Sequence, residues 1–212
     1  MLGRGLDYAD AAEALRRNPV FGVSPETFGT WVTNRAEAVA GEAATGLVQE
    51  VQGLLEEAVR EGKTLEEFAE GVEAARAARG LPSLDPARLE TIFRTNVLAA
   101  YSGGQWTRAK GLEAEGRVAA AEYVAVRDDR VRETHFAMDG WWGPLDSPTW
   151  QTWWPPNGWN CRCQVRLLGP EEVEARGGIA AAPAPPAVAP DEGCEGNPGI
   201  GLWTLAAGSL LV

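Results

Sequence analysis

Leu47, Val51, Leu54, Leu55 and Ala58 recur at three- and four-residue intervals, the stripe of an amphipathic helix over residues 47–59. Gly62 stops it, and Thr64 with Glu67 forms a capping box for a second helix that turns Phe68 and Val72 inward. Gly80 and Pro82 break that helix in turn. Asp85-Pro86 opens the strongest one, a cap followed by a proline whose fixed φ suits the first helical position. Leu89, Ile92, Phe93, Val97, Ala100 and Tyr101 keep helical spacing along it. The pattern resumes after Gly103-Gly104 and runs to about Gly111, so the expectation is one long helix, kinked or split at the glycines. Further upstream, Ser24 and Pro25 predict another helix start.

From Arg117 the period changes. Residues 123–126 are β-prone, and 161–168 alternate well enough to form a second strand that pairs with 119–127. Between them, 128–138 reads as a turn and a short helix closed by Gly140, and 141–159 reads as an aromatic loop. The fold class is therefore α+β: a helical N-terminal region, then a small domain with an antiparallel β-hairpin or sheet and a His/Cys cluster. Its divisions fall at residues 1–116, 117–168 and 169–212. The last begins with a short acidic helical piece and continues as IAAAPAPPAVAPDEG, which is expected to be an extended linker that does not pack.

With 45% hydrophobic and 23% charged residues in 212, the chain can bury a sizeable core. No run approaches the roughly 18–20 apolar residues that span a bilayer, and the first residues lack an apolar signal core, so no membrane partner or export is expected. The apolar end, GIGLWTLAAGSLLV, reads as a docking strand, a frayed tail or the end of a disrupted longer chain. The net charge of −11 is unevenly spread: residues 117–168 hold six basic and six acidic groups, and the acidic excess lies on either side. No basic face dominates, which disfavours phosphate-driven DNA binding apart from a local patch at Arg127, Arg130 and Arg132. Three cysteines without framework spacing fit reduced thiols.

Cys161 and Cys163, two residues apart on a strand, point the same way, and His135 is the chain's one histidine. Together they could supply three ligands to a tetrahedral zinc, with Asp139, four residues past His135, as the fourth; the competing reading is two small buried thiols in a core. Thiol catalysis would need an oxyanion hole and an orienting third group, and the sequence announces neither. Asp128-Asp129 reads as the cap of a helix starting near Arg130, with Arg130 and Arg132 anchoring the loop through carboxylates or carbonyls. Six of the nine tryptophans lie in 141–159, so the loop is either a mini-core or a docking surface for a partner, through Trp150, Trp153 and Trp154.

DDRVRETHFAMDG, the aromatic spacer and PPNGWNCRCQV together resemble the phage Mu F-like minor head protein family, also called the head morphogenesis family. FRTNVLAAYSGGQ and RAEAVAG resemble its helical lead-in, so the likeness extends over about residues 5–168. Carried over position by position, the family's marked residues fall on Arg130, Arg132, His135, Gly140, Pro156, Cys161, Arg162 and Cys163. The resemblance implies a minor capsid protein at the portal vertex, in the virion or, during assembly, in the host cytoplasm, encoded by a phage or prophage. Its implied partners are the portal and other capsid proteins, with transient contact to phage DNA during packaging or ejection. It implies no catalytic residues and no enzyme. Two rival readings use the same cluster: a metal-dependent hydrolase or nuclease built on His135 and Asp139, and a DNA-binding ejection factor working through Arg127, Arg130, Arg132 and Arg162.

Overall fold

The computed structural model describes residues 40–192 and 194–200, so the helix start at Ser24-Pro25 and the apolar end lie outside the described residues. Helix α1 (Ala40–Glu61) buries Leu47, Val51, Leu55 and Val59. It ends at Gly62, whose φ of 72° is a left-handed conformation that costs glycine little; its N–H bonds the Ala58 carbonyl at 3.0 Å. Helix α2 (Leu65–Ala77) starts on the expected capping box: Glu67 N–H donates to Thr64 Oγ1 at 3.2 Å, and Thr64 N–H to the Glu67 carboxylate at 2.8 Å. Phe68 and Val72 enter the apolar cluster that α1, α2 and the first half of the next helix share.

Helix α3 (Pro86–Ala114) begins where Asp85 accepts from Ala87 N–H at 2.8 Å. It is neither kinked apart nor split: Gly103 and Gly104 lie inside one continuous helix of 29 residues. Tertiary contacts at that point offset the weak helix propensity of glycine. Ser102 Oγ donates to the Pro155 carbonyl, Trp154 Nε1 donates to the Ser102 carbonyl at 2.9 Å, and Gln105 Nε2 reaches the Val165 carbonyl at 2.8 Å. The helix therefore serves two clusters, since its later residues Trp106, Ala109 and Leu112 belong to the core of the β-containing unit.

That unit holds a three-stranded antiparallel sheet in the order β2-β1-β3. Strand β1 (Ala120–Val124) pairs with β3 (Gln164–Leu168) in the register Ala120↔Leu168 to Val124↔Gln164. On its other side it pairs with β2 (Trp142–Gly143), a two-residue strand within the stretch read as an aromatic loop. Two short helices complete it, α4 (Glu133–Ala137) and α5 (Thr149–Trp153). After β3 come α6 (Pro170–Ala175) and a 3-10 turn, Ile179–Ala181.

Trp106, Trp141, Trp150, Trp153 and Trp154 share one core, the first of the two readings of the loop, so Trp150, Trp153 and Trp154 do not lie on an exposed docking surface. All three are buried, at 0%, 4% and 0% exposure. Their indoles meet edge to face: Trp154 with Trp106 at 4.8 Å between centroids and with Trp150 at 5.4 Å, and Trp153 with Tyr123 at 5.8 Å. Burial is tolerable because the polar N–H groups find acceptors, Trp150 Nε1 at the Gly143 carbonyl and Trp154 Nε1 at Ser102.

The Ala-Pro run is mostly exposed, as an extended segment is, but it is tethered at a few points and the residues that follow it are buried. Trp141 Nε1 donates to the Pro183 carbonyl at 3.0 Å, Val188 lies against the tryptophan cluster, and Pro190, Cys194 and Asn197 are buried. A proline-rich segment forms few ladder bonds of its own, yet its stiff backbone loses little entropy on docking. Truncating Trp154 to Ala should cost about 3–5 kcal/mol in urea unfolding, by loss of transfer energy plus a cavity. Phe136→Ala, at a site 53% exposed, should stay within about 0.5 kcal/mol of the parent.

Candidate metal centre

His135 is carried by α4, whose single turn of helix ends before Gly140; there φ is 78°, and the Gly140 N–H bonds the Tyr123 carbonyl at 2.9 Å. Cys161 and Cys163 lie immediately before β3, not on the strand itself, and both sulfurs still face His135. Their Sγ atoms approach His135 Nδ1 at 3.7 and 3.6 Å. All three side chains are buried, and their candidate ligand atoms lie within 4.8 Å of one another.

The orientation of the imidazole is set from behind. Nε2 lies 3.1 Å from the Asn157 carbonyl oxygen, which can only accept, so Nε2 carries a proton and Nδ1 faces the two sulfurs. The ring also stands edge to face with Trp153, at 5.9 Å between centroids. The turn supplying that carbonyl, PPNGWN, has a cis Pro155-Pro156 bond and is tied down by side chains. Asn157 Nδ2 donates to the Thr152 carbonyl, Asn160 N–H to Thr95 Oγ1 at 3.2 Å, and Asn160 Nδ2 to Thr91 Oγ1 at 2.9 Å. The last two acceptors lie on α3, which gives Thr91 and Thr95 a positioning role.

The three donors suit a soft or borderline divalent ion. Zinc bonds of about 2.3 Å to sulfur and 2.0–2.1 Å to nitrogen at tetrahedral angles give N···S edges of about 3.6 Å, the separation found here. A cavity of ≈ 20 Å³ opens beside the cluster, lined by Val126, Arg130, Arg132, Asn160 and Arg162, and holds about one water-sized sphere. The Tyr123 hydroxyl is buried next to Cys163 without a well-formed hydrogen bond among the described residues. Burial raises the pKa of that phenol. Cys163 is pulled well below an ordinary thiol, first by the hydrogen bond from Cys161 and then, against burial, by His135 and Tyr123. Cys161 is pushed up by the same shared bond and by burial. One side of the pair is thus poised to be a thiolate, the form that binds metal.

Asp139 does not join the set. Four residues from His135 would share its face only if the helix continued, but α4 stops at Ala137. The Asp139 carboxylate instead accepts from Ala125 N–H at 3.0 Å and pairs with Arg127 Nε at 2.8 Å. The carboxylate near the histidine is Asp191, whose Oδ1 lies 3.7 Å from His135 Nε2 and whose Oδ2 lies 2.6 Å from Arg132 Nε. Sequence reasoning missed it, because Asp191 lies in the segment taken for an unpacked linker. The available signal was the change from Ala-Pro to the turn-forming DEGCEGNPG.

The arginines act as anchors. Arg132 also donates to the Trp159 carbonyl at 2.7 Å, and Arg162 grips Asp128 with two bonds, at 2.5 and 2.9 Å. Asp128 caps no helix at Arg130, since α4 starts at Glu133; it accepts from Arg130 N–H at 3.0 Å in a turn. The Arg162 bond holds the Asp128 carboxyl down at about 2. A depressed folded value means stabilisation that is present above the ordinary carboxylate range and lost as pH falls through the folded value. The gap in urea midpoint between the parent chain and Asp128→Asn should therefore be full at pH 6 and close as pH falls from about 4 through about 2.

Over residues 49–166 the chain matches the family described as Phage Mu protein F like protein. It is 34% identical over 147 residues to the Mu-like prophage FluMu F protein of Haemophilus influenzae, an alignment taking in 69% of this chain and 33% of that protein. It is 32% identical over 159 residues to the putative capsid assembly protein F of Escherichia phage Mu, across 68% of this chain and 36% of that one. The chain spans about a third of the length of these curated relatives. No solved structure matches it significantly. The family match takes in more than half of the chain, from within α1 through α3 and the His/Cys cluster into β3, and on that ground the chain belongs to the phage Mu protein F like family.

Proposed function

We propose that this chain is a structural, non-catalytic minor capsid protein that acts in head assembly at the portal vertex, and that zinc bound by His135, Cys161 and Cys163 staples its compact unit. The observation that carries the first part is the similarity to the putative capsid assembly protein F of phage Mu across two thirds of the chain. The zinc part is supported by three buried donors within 4.8 Å of one another, whose two N···S separations, 3.6 and 3.7 Å, suit the edges of a zinc tetrahedron. Among the described residues, no helix is long and apolar enough to cross a membrane.

A structural role fits the surroundings better than either rival. The hydrolase reading needed Asp139 at the metal, and Asp139 is committed to Arg127 and the Ala125 amide. The DNA-binding reading needed unneutralised arginines, whereas Arg127, Arg132 and Arg162 each face an aspartate. Capsid proteins as partners follow from this reading.

Elemental analysis of the purified chain should find close to one zinc, which Cys161→Ser should abolish while lowering the unfolding temperature. Native protein that carries no metal and is indifferent to chelation would refute the zinc staple. For the assembly role, the chain should be incorporated when co-expressed with the portal and major capsid proteins of its own phage, and His135→Ala should fail to incorporate. His135→Ala particles that hold normal amounts of the protein and lack only a nuclease or hydrolase activity would overturn the structural reading.

A further inference from the structure

Residues 183–192 and 194–197 lie beyond the end of the family match at 166, yet they close over the back of the His/Cys cluster. The contacts are built into both sides. Asp191 N–H donates at 3.0 Å to the Asn157 carbonyl, the same oxygen that accepts from His135 Nε2. The Asp191 carboxylate bridges Arg132 and the protonated face of that imidazole. Further along, Gly196 N–H reaches the Thr152 carbonyl at 3.3 Å, and Asn197 Nδ2 reaches the Trp150 carbonyl at 3.0 Å. Gly158 makes room for the crossing: a Cβ there would stand 2.3 Å from Asp191 Oδ2 and 2.8 Å from its Cγ. No left-handed φ is recorded at Gly158, so the glycine is explained by the approach of this carboxylate.

We infer that residues 183–192 and 194–197 form a clasp on the metal centre, with Asp191 as the positioning carboxylate behind His135, so that clasp docking and zinc binding favour each other. This rests on the zinc reading given above. A metal-bound imidazole donates more strongly through its other nitrogen, and a carboxylate or carbonyl at that nitrogen raises its basicity toward the metal. An ion on Nδ1 therefore strengthens the bond from Nε2 to the Asn157 carbonyl and the attraction of the Asp191 carboxylate 3.7 Å away. By thermodynamic reciprocity, a docked clasp tightens the ion by the same factor. The ligands themselves belong to the matched region, while the residue that aims one of them comes from outside it.

The test uses the full chain and zinc itself. Amide exchange is followed over 183–199 and over α1 and α2 with zinc present and after chelation. Zinc affinity is measured by competition with a chromogenic chelator for the parent, Asp191→Asn and Gly158→Ala, and the visible spectrum of the cobalt-loaded forms reports ligand geometry. Chelation should speed exchange in 183–199 by at least about tenfold while α1 and α2 are unchanged. Both variants should lose about 10–100-fold in zinc affinity, and Asp191→Asn should shift the cobalt bands as the imidazole reorients. Gly158→Ala keeps all three ligands and the Asp191 carboxylate, and its Cβ crowds that carboxylate and the Arg132 guanidinium, so a loss of affinity accompanied by faster exchange over the clasp reports the crossing itself. One equivalent of zinc bound, with clasp exchange indifferent to chelation and both variants within about twofold of the parent, would overturn the linkage and leave the zinc staple standing. A parent chain that takes up no zinc would overturn both.

Discussion

The carbonyl oxygen of Asn157 accepts from His135 Nε2 and from the Asp191 amide, and three parts of the chain meet on it. It protrudes from the Pro-Pro turn, holds α4 through the imidazole, and receives the segment that follows the 3-10 turn. Two accepted bonds satisfy both lone pairs of a buried carbonyl. The turn can present the oxygen this way because Asn160 is fastened to Thr91 and Thr95 on α3. Removing the turn would unseat the histidine, the returning segment and part of the helix face together. The Cys-Arg-Cys stretch depends on the same arrangement: its sulfurs face Nδ1 only while the opposite nitrogen is held.

Charge is arranged to support this geometry. Residues 117–168 are neutral overall, and several of their charges are paired so as to tie loops together: Arg162 to Asp128, Arg127 to Asp139. On the outer face of the sheet, Arg166 and Arg176 converge on Glu122, and Arg176 covers the Trp142 ring at 5.4 Å. Exposed pairs of this kind contribute little each, but several acting on short strands and one-turn helices fix the register of elements too small to hold themselves.

The helical region was legible because its signals are local. A capping box, an Asp-Pro start and a terminal glycine act within one turn, and α1, α2 and α3 obey them. What the sequence concealed depended on long-range contact. Gly103-Gly104 reads as a break until Trp154 and Pro155 are packed against the helix beside it. The two residues of β2 carry no periodicity, since their pairing is decided by β1. The triad His135, Cys161 and Cys163 was visible because few other residues offer soft ligands. Asp139 was misassigned because spacing counts as a shared face only while the helix lasts, and Asp191 was invisible because its partners lie 56 and 59 positions upstream.

Helix α3 contributes Leu89 and Ile92 to one apolar cluster and Trp106 and Leu112 to the other. At about 1.5 Å per residue its 29 residues form a shaft of about 44 Å. Neither cluster can twist about the shaft without shearing side chains that interdigitate with it, and no loop lies between them to take up the motion. A push on α1 or α2 from a neighbouring molecule would thus reach the aromatic core as a rigid tilt, with the stiffness of a spoke instead of the compliance of a hinge.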